Sequence, residues 1–213
     1  MYRKQQGFTL VEIAIVLVII GLLLGGVLKG QELINSAKVK NFATDFRNTP
    51  LFIYGYQDKY KRLPGDDNGA VARFAGASTV DGNGNGAIAG NYNSVTLGDE
   101  SVRFWQHVRL AGLAAGSTDF STIASAGLPT NADGGRIGIQ STTPITNMNG
   151  SYFVCSEGIQ GKFAKQLDIS MDDGNTATGS VQVMAQGYGG TAQAAIATAS
   201  IVDGTTYSVC MAF

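Results

Sequence analysis

The chain has 213 residues, of which 44% are hydrophobic and 15% charged, and a formal net charge of −1. That length suits one domain with an N-terminal extension rather than two full domains, and the charge balance leaves no basic footprint for nucleic acid. The 29 glycines predict short strands joined by many turns.

The opening reads Met1-Tyr-Arg-Lys-Gln-Gln-Gly7, then Phe8-Thr-Leu-Val-Glu12, then an apolar run from Ile13 to Leu28 free of charge. Counted from Phe8, about 21 residues at about 1.5 Å rise span roughly 30 Å, the thickness of a bilayer core. A secretory signal would place an A-x-A-like cleavage site after the apolar run; here polar residues resume at Lys29 in a helical pattern. Glu12 is the exception within the run. A carboxylate at the centre of a membrane helix costs about 3 kcal/mol on insertion scales. Glu12 therefore needs either the headgroup zone or a positive partner.

Gly-Phe-Thr-Leu-Val-Glu after a short basic leader resembles the prepilin signature of type IV pilins and type II secretion pseudopilins. The resemblance implies a leader, residues 1–7, cut after Gly7 by a membrane prepilin peptidase that also methylates the new N-terminal Phe8. It implies that Glu12 guides subunit docking; the amine that the cut frees at Phe8 is the candidate positive partner, about one turn away in the same helix or on a staggered neighbouring helix. It further implies a single-pass bacterial inner-membrane protein with its globular part in the periplasm. This protein would enter a pilus or pseudopilus, and could reach the cell surface. The partners would be other pilin subunits and an inner-membrane assembly platform. Arg3 and Lys4 precede the span, whereas Lys29, Lys38, Lys40 and Arg47 follow it, so a positive-inside count alone would not set this orientation.

Residues 8–30 are the expected transmembrane and polymerisation helix. Gly21-xxx-Gly25 and Gly26-xxx-Gly30 are spacings that let helices approach closely. Many type IV pilins carry a proline in this part of the helix; Lys29 stands near that place, and the glycines supply the weak point instead. Residues 31–63 read as an amphipathic helix. Val39, Phe42, Phe46, Ile53, Tyr56, Tyr60 and Leu63 form one apolar stripe to be buried against a sheet. Pro50 lacks an amide donor, so a kink or restart is expected there, with Asn48-Thr49 as its cap.

Leu63-Pro64-Gly65-Asp66-Asp67 ends this helix and opens the globular part, residues 64–213; it also resembles the segment after the pilin helix in prepilin-like proteins. Residues 99–110 predict a second helix, with Phe104, Trp105, Val108 and Ala111 on one side and Gly112 able to cap its end. Trp105 and His107 read as structural. Strand candidates follow at 135–140, 151–155, 180–185 and 206–211, alternating or clustering β-branched residues between turns. Residues 191–200 read as a mobile loop. The resulting class is α+β, a long helix on an antiparallel sheet with Gly-rich loops, as in the pilin fold.

Cys155 and Cys210 lack the CxxC spacing of zinc or thioredoxin-like sites. Outside the cytoplasm a disulfide is the natural reading, closing a loop for a gain of roughly 4 kcal/mol in the chain-entropy picture; the alternative is two buried thiols. Asp81-Gly-Asn83-Gly-Asn85-Gly86 begins like an EF-hand loop, with oxygens at alternate residues. Its twelfth position is Tyr92 rather than Glu, so Asp66, Asp67 or Asp99 would have to complete a calcium site, and a plain Asn/Gly turn is the competing reading. No cofactor is required. A second acidic loop, Asp168, Asp172 and Asp173 before Gly174, resembles a turn common in prepilin-like proteins and reads as structural.

These features predict a structural filament subunit. The alternative is a minor tip pilin that binds or adheres through its Gly/Asn loops in a calcium-dependent way. An anchored enzyme has little behind it: the sequence holds one histidine and neither a G-x-S-x-G elbow nor a Walker loop.

Overall fold

The computed structural model describes residues 7, 9–75 and 78–213. The chain divides into two units, Met1–Lys38 and Val39–Phe213. Helix α1, Leu10–Tyr60, contributes to both.

In the first unit α1 is exposed throughout its most apolar stretch. Leu10, Val11, Leu17, Leu22 and Leu23 all present their side chains outward. Such a surface is far outside what a soluble monomer tolerates. Gly21, Gly25, Gly26 and Gly30 have open space where a Cβ would stand.

In the second unit α1 becomes one-sided. Val39, Phe42, Ala43, Phe46, Ile53 and Tyr56 are buried, at the three- and four-residue spacing of a helix face. Each fully buried large apolar side chain contributes about 1.5–3 kcal/mol, so this stripe anchors the fold. The helix passes through Pro50 without a break, contrary to the expected restart. The Thr49 hydroxyl donates to the Asp45 carbonyl at 3.1 Å, and burial of Phe46 and Ile53 on either side outweighs the amide bond that proline cannot make. The helix ends where Lys61 turns to φ 56°. Leu63 is buried beyond it.

The stripe packs against a four-stranded antiparallel sheet of β1 (Ile137–Gln140), β2 (Phe153–Gln160), β3 (Val181–Ala185) and β4 (Thr206–Ala212), in the order β1-β2-β4-β3. Strand alternation sends Val154, Ile159, Val183 and Val209 to the core shared with α1. It sends Phe153, Cys155, Met184 and Cys210 to the other face, where Tyr92, Ile145 and Tyr188 cover them. The pilin-like α+β class expected from the sequence is what the chain adopts.

Strand β2 runs five residues past the expected 151–155 segment. Gly158 at φ 72° and a register shift between Ser156 and Ile159 interrupt the alternation that marks a strand. Helix α3, Glu100–Leu110, matches the predicted one, with Gly112 at φ 76° after it. Helix α5, Gly161–Met171, follows β2 directly and packs on β2, β3 and β4. The sequence reading missed it, together with the short helices α2 (Ala70–Phe74) and α4 (Ile123–Ala126). Segment 191–200 is tied to the fold rather than loose. Gln193 bridges Ile145, the Ile196 amide donates to the Val183 carbonyl at 2.8 Å, and a short 3-10 turn spans Thr198–Ser200.

Candidate functional site

The first candidate site is the start of α1. Gly7 is exposed; Phe8, the expected methylated residue, and the rest of the leader lie outside the described residues. Glu12 stands three residues after Thr9, and the two form a reciprocal cap. The Thr9 amide and hydroxyl donate to Glu12 Oε2 at 2.8 and 2.7 Å, and the Glu12 amide donates to the Thr9 hydroxyl at 3.3 Å. The pair satisfies amide groups that every helix start leaves without partners. Within one chain, then, Glu12 already has a neutral partner, which the sequence reading did not anticipate. The Thr-x-x-Glu spacing would have announced it. Lys29, in the position considered for a helix weak point, forms an exposed ion pair with Glu32 at 2.7 Å.

The cysteines are joined. Cys155 and Cys210 face each other across β2 and β4 with Cα atoms 4.1 Å apart, in a disulfide between residues 55 apart in sequence. Both are fully buried. The bond ties the two central strands of the sheet on the face away from α1.

The Gly/Asn loop is closed largely by its own amides. Asp66 accepts from the Asn85 and Gly86 amides at 3.0 and 2.7 Å. Glu100 accepts from Asn83 and Ala89 at 3.0 and 2.9 Å. Asn83 and Asn85 each bond an amide two residues on, and Asp81 Oδ1 accepts from Val71 at 2.8 Å. The fold therefore brings Asp66 to the proposed calcium loop, but aims it at backbone donors. Asp67 turns instead to Tyr56, at 2.6 Å, and to Arg73. Asp99 accepts from the Ser94 hydroxyl at 2.5 Å. Gly82 is required here, because a Cβ would lie 2.2 Å from the Asp66 backbone.

His107 is fully buried. Its Nδ1 accepts from the Gly65 amide at 3.0 Å, so the proton sits on Nε2, which donates to the Val80 carbonyl at 3.0 Å. Burial lowers its pKa, and the opposing pull of the Val80 carbonyl and Asp67 does not restore it. The histidine is a neutral clamp between two loops.

Asp168, Asp172 and Asp173 converge at the C-terminal end of α5, each offering an oxygen within 4.8 Å of the others. Burial, then the charges of Asp172 and Asp173, push the Asp168 carboxyl up to about 6.

An exposed apolar helix segment, an amphipathic segment on an antiparallel sheet and a capped glutamate near the helix start fit a pilin-like α+β fold. The prokaryotic N-terminal methylation motif matches residues 2–28. The chain thus carries the signature of type IV pilins and pseudopilins. No curated protein matches the chain.

Proposed function

We propose that the protein is a structural subunit of a type IV pilus or type II secretion pseudopilus, cut after Gly7, methylated on Phe8 and polymerised through α1. The observation that carries this reading is the exposed apolar stretch of α1, which lies within the residues 2–28 that match the methylation motif. That stretch needs lipid first and neighbouring helices later. Removing apolar area from water is worth about 25 cal/mol per Å², but lipid already supplies that gain. Helix exchange therefore depends on close packing and polar contacts. The open glycine positions favour the first of these. Glu12 favours the second, by leaving its Thr9 cap for the amine that cleavage creates on a neighbour.

In this reading the prepilin peptidase and other pilin subunits are the partners, joined by an inner-membrane assembly platform. The globular unit lies in the periplasm, where a buried disulfide is at home.

The test is Glu12→Ala. The variant is expected to insert and be cleaved normally, yet to yield few filaments. Normal filaments from it would remove Glu12 from the docking step.

A further inference from the structure

The geometry points to a calcium site at the C-terminal end of α5, formed by the carboxylates of Asp168, Asp172 and Asp173. Three observations meet there. The first is proximity: three carboxylates with ligand atoms within 4.8 Å repel one another unless a cation lies between them.

The second is the state of Asp168. Its side chain is fully buried, and neither carboxylate oxygen has a hydrogen-bond partner among the described residues. The Gly174 amide lies close enough to temper its charge without reaching hydrogen-bond geometry. A buried carboxylate left in this way is costly. By contrast, Asp172 accepts from the Val181 amide at 2.7 Å. Asp173 accepts from the Asn175 amide and the Thr178 hydroxyl, both at 2.8 Å. These bonds hold two of the ligands in place while each oxygen retains a further lone pair.

The third observation is the helix itself. The end of α5 carries the negative pole of its dipole, and its last turn has no basic residue. Its two lysines are engaged elsewhere: Lys165 pairs with Asp203 at 2.5 Å, and Lys162 lies over the Phe163 ring.

An all-oxygen, triply anionic donor set selects a hard divalent ion, and a site graded from buried Asp168 to exposed Asp173 leaves room for the waters that calcium's six to eight ligands require. Gly179 fits this arrangement, since a Cβ there would lie 2.1 Å from Asp172 Oδ2. The site is distinct from the Asp81 loop, whose oxygens already meet amides.

The experiment is a calorimetric titration of the full detergent-solubilised chain with calcium after chelator treatment, paired with thermal unfolding. Calcium should bind the wild type and raise its Tm by several degrees. Asp168→Asn and Asp173→Asn should each weaken binding by roughly tenfold or more, while Asp81→Asn should leave it unchanged. Because Asp173 is exposed, its variant keeps the test meaningful even where Asp168→Asn does not fold. Absence of calcium binding by folded wild-type protein overturns the proposal. So does binding that survives both Asp168→Asn and Asp173→Asn, or binding that Asp81→Asn abolishes.

Discussion

Thr9 and Glu12 share one hydrogen-bonded cap, which makes their roles separable by mutation. Thr9→Ala removes half of the cap and costs the helix start about 1 kcal/mol, but it leaves the Glu12 carboxylate available to a neighbour. If docking is the purpose of Glu12, Thr9→Ala should assemble nearly as well as wild type in a sheared-filament assay, whereas Glu12→Ala should not. Equal failure of the two would assign Glu12 to capping alone. At the expected cleavage site, replacing Gly7 with a bulky side chain should leave uncut precursor in the membrane fraction. Intact mass reads this directly, and a normally trimmed product would place the cut elsewhere.

At the scale of elements, the disulfide and the loop knot around His107 hold the globular unit by different means. The disulfide joins the two central strands, so replacing both Cys155 and Cys210 with alanine should destabilise that unit by about 2–5 kcal/mol, read as a lowered midpoint in denaturant. Acid acts on the knot. The pKa of His107 lies below its ordinary 6.5 because burial disfavours the imidazolium, so the unfolded chain takes up the proton first. Its contribution is intact above the ordinary value and is lost as pH falls through it. Burial alone would raise Asp67, but hydrogen bonds from Tyr56, Gly69 and Arg73, with the Arg73 charge, leave it below its ordinary 3.8. Its contribution is lost at still lower pH. The His107 share of thermal stability should therefore decline from about pH 6.5 downward. Against it runs the gain that Asp45 and Asp168, both raised to about 6, bring as pH falls in the same range. The Asp67 share should decline only below its ordinary 3.8. His107→Gln should flatten the upper decline while leaving the lower one.

Across the whole molecule, the sequence was most informative where one residue type serves one physical purpose. The apolar run, the Val39-to-Tyr56 stripe and the β-branched segments all follow from periodicity, and the cysteine pair needed just one assumption about compartment. Helix α5 escaped because its N-cap is Gln160, which makes no side-chain cap bond, and because it starts without a gap after β2. The second half of β2 escaped because Gly158 and the bulge break its alternation. The acidic cluster was visible as three aspartates, but nothing in their spacing disclosed that Asp168 is buried and unpartnered. That fact depends on how α5 lies against the sheet.

The central claim is that cleavage after Gly7 makes the chain competent to polymerise. N-terminal sequencing and intact mass of the protein recovered from sheared filaments measure this directly. The account predicts a chain beginning with N-methylated Phe8. Filament-borne protein that still begins at Met1 would contradict it.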